Sequence, residues 1–152
     1  MKVIKWLTER EYKKIFSLVP RVTVDLVILN NKREVLLSKR DIPPKKGYWH
    51  LPGGMVRRGE RVSQAARRIA KDETGLQVKL LEVKGLFDNP GRVPGMHDIT
   101  LVITAKPVGG KLGGSWQAKE LKFFSKPPKM FFEHNKEIEV AERKRGKFYW
   151  KR

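Results

Sequence analysis

The sequence predicts an α+β fold, a mixed sheet flanked by helices, on three observations. Apolar, β-branched runs read as strands at 21–29 and 34–39 and again near 77–87, 97–106 and 120–125. Helix-forming segments stand at about 9–18, 62–74 and 133–145. Strands and helices alternate without a βαβ rhythm, so a purely parallel sheet is not expected.

Each element has its own local reason. Thr8-Glu9-Arg10-Glu11 is a capping box, in which a hydroxyl and a carboxylate each satisfy an open amide, so a helix starts at 9 and stops before Pro20, a brace on the body. Asn30-Asn31-Lys32-Arg33 reads as the turn of a hairpin joining two antiparallel strands. Asp41 to Gly47, with Pro43-Pro44, forms a stiff loop, and Tyr48-Trp49-His50-Leu51 leads into Pro52-Gly53-Gly54. Residues 62–74 are helical in propensity and are stopped by Gly75, suited to a left-handed C′ position. Asp88-Asn89-Pro90-Gly91 and the glycine-rich 109–114 read as loops, and the helix at 133–145 as polar, followed by a basic and aromatic tail within 133–152.

The chain has 152 residues and no cysteine, and 39% of its residues are hydrophobic, so one domain over 1–152 with an apolar core and no disulfide is expected. No apolar run approaches the roughly 18–20 residues of a bilayer span, and the reading is a cytoplasmic protein without membrane contact. Lysine and arginine number 34 against 16 acids, a formal charge of +18. The excess is spread, with nine bases and four acids in 126–152 and 25 against 12 in 1–125. A basic surface of this kind attracts any polyanion, from nucleic acid to the diphosphate of one nucleotide. The densest stretch is 42–71, with eight bases and Glu60 as its one acid.

Gly54, Glu60 six positions on, and Arg68-Ile69-Ala70-Lys71-Asp72-Glu73-Thr74-Gly75-Leu76 carry the chemistry. On a helix Arg68 stacks with Asp72 and Ile69 with Glu73, so two acids crown the C-terminal half of one face, where the helix dipole disfavours them. A divalent cation is the natural counter-charge, with ion pairing to Arg68 and Lys71 on a solvated face as the alternative. The spacing resembles the Nudix box, Gly-x5-Glu-x7-Arg-Glu-U-x-Glu-Glu-x-Gly-U, where U is a bulky apolar residue. Ile69, Ala70 and Asp72 depart from it. The resemblance implies a Nudix-type α/β/α sandwich and a Mg²⁺-dependent hydrolase, with Mn²⁺ as a substitute.

Residues 20–76 also look like the GDP-mannose mannosyl hydrolase subgroup, which shares the loss of the acid at Ile69 and in which water attacks sugar carbon while nucleoside diphosphate leaves. By that resemblance Gly53, Glu73 and Gln117 fall on metal ligands, with the box acids Glu60 and Asp72 beside them. Arg40 falls on a residue that helps the leaving diphosphate, and Arg68 and Asp25 are read as further substrate contacts. The match breaks at Ala118, which stands where the subgroup has its histidine base, and at Met55, where it has a second arginine. His97, His50 and Glu120 remain candidates for the base, His50 being better read as a packed strand residue and His134 as a solvated one. The partner expected is a nucleotide sugar or another nucleoside diphosphate derivative, and a homodimer is a candidate assembly. The alternatives are a pyrophosphohydrolase acting on nucleoside triphosphate or ADP-ribose, and a degenerate domain that binds nucleotide or RNA without turnover. RNA binding is the less favoured reading, since the aromatic tail is better explained by packing onto the body or a dimer partner.

Overall fold

The computed structural model describes residues 7–43, 45–115, 118–130 and 134–144. Helix α1 (Glu9–Phe16) begins at the expected capping box: the Thr8 amide donates to Glu11 Oε2 at 2.8 Å and the Glu11 amide to Thr8 Oγ1 at 3.3 Å. It buries no residue and meets the body where Arg21 donates to the Tyr12 hydroxyl.

Among the described residues seven strands follow: β1 (Arg21–Ile28), β2 (Val35–Lys39), β3 (Trp49–His50), β4 (Gly53–Met55), β5 (Leu76–Pro90), β6 (His97–Gly110) and β7 (Glu120–Phe124). They form two sheets rather than one. The first has the order β4-β1-β6-β5 and is mixed, because β1 runs parallel to β6 and antiparallel to β4. The second, β3-β2-β7, is antiparallel throughout.

The hairpin expected at 30–33 does not form. A turn is present, closed by the Arg33 amide on the Asn30 carbonyl at 2.9 Å, but pairing ends at one bridge, Leu29 to Val35. One edge of β1 is taken by β6 along its length and the other by β4 over Thr23 to Asp25, so β2 meets β1 only at its end, at Leu29, and leaves to build the second sheet. The loop expected at 88–91 also differs: Asp88, Asn89 and Pro90 pair with Ile99, Asp98 and His97, and the turn lies beyond them at 91–96. Likewise β6 runs into the glycine-rich segment as far as Gly110.

The side-chain period of two sorts the strands onto two cores. On one face Val24, Leu26 and Ile28 of β1 and Leu36 of β2 pack with Ala66, Ile69 and Ala70 of α2 (Val62–Thr74). On the other, Val27, Val35, Leu37 and Val102 pack with Ile138, Val140 and Ala141 of α3 (His134–Glu142). The strands thus stand between two helices, an α/β/α arrangement. Helix α3 is not the polar surface helix that its composition implies, since His134 and Glu137 are buried with its apolar residues. Its last turn is held by Lys84, whose ammonium donates to the Arg143 carbonyl at 2.9 Å. Among the described residues no helix is long and apolar enough to cross a membrane.

Gly75 ends α2 in the left-handed conformation (φ +74°), and a Cβ there would lie 2.2 Å from the Lys111 carbonyl oxygen. Gly59 is also left-handed (φ +86°) but faces open space. Gly75→Ala is therefore expected to cost about 2–4 kcal/mol and Gly59→Ala about 1 kcal/mol, the difference being the backbone clash. Urea unfolding at constant m-value measures both, and equal losses would contradict this account of the α2 terminus.

Candidate active site

Helix α2 carries the box acids, and its position is set by one arginine. Arg68 donates through Nε to Glu60 Oε1 at 2.6 Å and through Nη2 to Glu60 Oε2 at 3.0 Å and to the Met55 carbonyl at 2.9 Å. The second Glu60 oxygen also accepts the Arg57 amide at 2.9 Å. This bidentate, largely buried pair fastens the helix to the 55–60 loop. Glu60 was expected among the metal ligands, but both its oxygens are engaged in this brace, and the Arg68 guanidinium beside it holds its carboxyl below the usual range. Arg68 is correspondingly anchored, with Asp72 3.8 Å from its remaining nitrogen.

Strand β4 brings Gly53 and Gly54 alongside α2. Gly53 lies opposite Asp25 and Gly54 opposite Val24 on β1. A Cβ on Gly53 would sit 2.0 Å from Asp25 Oδ1, and one on Gly54 would press on Ile69 at 3.3 Å. Glycine is needed at 53 because a buried carboxylate fills the space a side chain would take. It is favoured at 54 because the isoleucine that replaces the box acid packs against it.

These elements wall a cavity of about 540 Å³ whose lining includes Asp25, Gly53, Gly54, Arg68, Ile69, Asp72 and Glu73. Five of the residues expected at the site, Asp25, Gly53, Arg68, Asp72 and Glu73, thus share one cavity. Arg57, one of the bases expected around the box, also lines it, as do Arg21 and Arg92, which were not anticipated, and Asp98, whose carboxylate accepts two hydrogen bonds of 2.6 Å from Arg21. Burial raises the Glu73 pKa above 4.5, the Ser115 hydroxyl at 3.3 Å offsets part of that, and neighbouring Asp72 raises it further. Two adjacent carboxylates, one half-buried and destabilised as an anion, form a donor set that a hard divalent cation fits. Ile69 leaves this set one acid short of the Nudix box.

A second cluster lies deeper. The ligand atoms of Asp25, His134 and Glu137 are all within 4.8 Å of one another. It does not fit a cation. His134 Nδ1 accepts the Leu51 amide at 2.9 Å, so the neutral ring carries its proton on Nε2 and has no lone pair left for a metal. Arg92 already supplies the positive charge, 3.5 Å from Asp25 Oδ2 and 3.2 Å from Glu137 Oε1. Burial and then Asp25 hold Glu137 well above the usual carboxylate range, and burial lowers His134 to about 3. His134, expected to be solvated, is instead 5% exposed because it lies on the inward face of α3. An isolated histidine at a helix start gives no local signal of that, and Arg92 and Glu137, far apart in the chain, give none either.

The other expected residues lie elsewhere. Arg40 and Glu120 line a separate cleft of about 320 Å³, and Arg40 donates to the Pro43 carbonyl at 3.2 Å. His97 bonds to Asp88 at 2.5 Å outside the main cavity. His50 is buried on β3, its Nδ1 on the Leu51 carbonyl at 2.9 Å, as a packed strand residue. Ala118 is fully buried. Gln117 lies outside the described residues, as do residues 145–152 of the tail.

The family profile described as NUDIX domain matches residues 19–141. An ADP-ribose pyrophosphatase of Methanocaldococcus jannaschii is 39% identical over 137 residues, covering 88% of this chain and 80% of that one. The low-salt glycan biosynthesis protein Agl8 of Haloferax volcanii is 36% identical over 83 residues, 55% of this chain and 53% of that one. Among solved structures, a MutT NUDIX hydrolase of Burkholderia pseudomallei superposes with a TM-score of 0.72 at 25% identity, covering 81% of this chain and 98% of that one.

The buried cluster makes a pH prediction. The folded-state pKa of His134 lies below its ordinary value of 6.5, so from pH 6.5 down towards 3 the unfolded chain binds a proton that the native state does not. The His134 contribution to stability should therefore fall as pH drops through that window, by about 1.4 kcal/mol per pH unit for one proton, against an opposite contribution from Glu137, whose raised pKa lets the native state take up a proton. His134→Gln, which keeps an acceptor for the Leu51 amide, should remove the His134 contribution, leaving roughly 2 kcal/mol less loss of stability between pH 6.5 and 5 than in the parent. Urea unfolding at the two pH values measures this, and an identical slope in both proteins would contradict the buried neutral ring.

Proposed function

The chain belongs to the Nudix family and is a Nudix hydrolase, and on that premise we propose that it cleaves a nucleoside diphosphate joined to a sugar, with ADP-ribose as the favoured substrate and Mg²⁺ as the cation. The observation that carries this reading is the meeting of Asp72, Glu73 and four arginines around one cavity large enough for a dinucleotide-like ligand. The 39% identical relative is an ADP-ribose pyrophosphatase over most of both chains, which favours that substrate over GDP-mannose.

A divalent cation bound at Asp72 and Glu73 would neutralise phosphate charge and lower the pKa of a bound water. The chain's own residues do the rest. Arg57 brings positive charge to the cavity wall for a diphosphate, while Arg21, held by Asp98, and Arg92, held by Asp25 and Glu137, shape that wall. Arg68, tied to Glu60, keeps α2 in place so that its acids stay at a fixed distance from Gly53 and Gly54. Ser115 holds one oxygen of Glu73. In ADP-ribose, attack of water on phosphorus breaks the diphosphate bridge and gives AMP and ribose 5-phosphate.

A second reading rests on Ile69. A site short of one carboxylate holds fewer cations, which suits attack at the sugar carbon with the nucleoside diphosphate as leaving group. The glycan-biosynthesis relative is consistent with a nucleotide-sugar substrate.

Product analysis with Mg²⁺ separates these readings. ADP-ribose in ¹⁸O-water should give AMP and ribose 5-phosphate with the label on a phosphate, and Glu73→Gln should lower kcat/KM by about two orders of magnitude or more. Nucleoside diphosphate with labelled free sugar would establish the second reading. Absence of turnover with ADP-ribose and with GDP-mannose would overturn both.

A further inference from the structure

The surplus positive charge is not absorbed by the cavity. Residues 39–48 and 119–130 together hold eight basic and two acidic side chains, a net of +6. The fold joins the two segments: β2 pairs with β7, so that Lys39 faces Glu120 and Leu37 faces Lys122, and Trp49 of β3 pairs with Lys39 and bridges to Met130. Lys39, Arg40, Lys46 and Lys119 line one cleft of about 320 Å³ that shares no residue with the main cavity.

The two acids of this region are already paired, Asp41 with Lys46 at 3.6 Å and Glu120 with Lys39 at 3.2 Å. Three of the other lysines, Lys45, Lys122 and Lys129, meet aromatic faces. Lys45 and Lys129 stand 5.2 and 4.8 Å from the centre of the Tyr48 ring, and Lys122 stands 5.4 Å from that of Phe124. Trp49 packs edge-on to Phe124 at 4.7 Å. Cations interleaved with partly exposed rings are the arrangement by which a flexible polyanion is held: ammonium groups track phosphates while rings meet bases. A single nucleotide diphosphate cannot engage a surface of this extent. A membrane is a poorer occupant, because the exposed large apolar side chains, Leu18, Leu81 and Val108 among them, belong to other segments.

We propose that the cleft and rim formed by residues 39–48 and 119–130 are a binding surface for single-stranded nucleic acid, separate from the hydrolytic cavity. Lys45 and Lys129 contact phosphates, and Tyr48 between them offers its ring to a base. This surface does not depend on the substrate proposed above.

The test is fluorescence anisotropy of the full chain with a fluorescein-labelled single-stranded RNA of about 12 nucleotides, within the span such sites cover, across a salt series. The parent is expected to bind with a steep salt dependence. Lys45→Ala/Lys129→Ala should weaken binding at least about tenfold and reduce the slope of log K against log salt by about 1.4, the value for two phosphate contacts on a single strand. Tyr48→Ser should weaken binding about tenfold, with the slope unchanged. Hydrolysis of a free nucleotide substrate should be the same in both variants and the parent, so failure of the hydrolase reading leaves the binding result intact. Parent-like RNA affinity and slope in the double variant would overturn the proposal. So would absence of RNA binding by the parent at low salt, or binding of phosphatidylserine vesicles in preference to RNA.

Discussion

The site depends on a strand that passes between a carboxylate and a helix with almost no room to spare. Strand β4 carries no side chain at 53 or 54, and each missing Cβ is filled by a neighbour, Asp25 on one side and Ile69 on the other. Without that clearance β4 could not pair with β1 while α2 lies over it, and the acids on α2 would not share a cavity with Asp25. The arginine brace completes the constraint. Arg68 reaches Met55 at the end of β4 and Glu60 in the loop beyond, so one side chain ties strand, loop and helix together. Ile69, which takes the place of an acid in the box, serves this packing: it is buried in the core beneath α2 and presses on Gly54.

Two pairs of carboxylates line or underlie the cavity, and they differ in the counter-charge that the protein sets beside them. Asp25 and Glu137 are both nearly enclosed and share the guanidinium of Arg92, which offsets part of the burial and repulsion that hold Glu137 well above the usual carboxylate range. Asp72 and Glu73 are adjacent on one helix turn, and burial together with mutual repulsion raises Glu73. An anion pair left in that state is the one that gains by binding a cation. The contrast separates a cluster that holds the fold together from one that is open to chemistry.

Local signals carried much of the fold and less of the site. The capping box at Thr8, the end of α2 at Gly75 and the spacing from Gly54 to Leu76 were legible because each depends on residues within a few turns of one another. The pairing of β1 was not, because the turn at 30–33 says nothing about where β4 and β6 take up the edges of that strand. The burial of His134 and Glu137 was hidden for a related reason: their partners Leu51, Asp25 and Arg92 come from β1, the β3–β4 link and the turn after β5. Glu60 matched the box spacing, but spacing does not distinguish an acid that holds a cation from one that holds Arg68.

Binding of Mn²⁺ followed by electron paramagnetic resonance tests the central claim, that Asp72 and Glu73, and not the buried cluster, hold the cation. The parent should take up Mn²⁺ and diminish the free-ion signal, Glu73→Gln should lose most of that uptake, and Glu137→Gln should keep it. Uptake unchanged by Glu73→Gln but abolished by Glu137→Gln would contradict the account and place the cation among Asp25, His134 and Glu137.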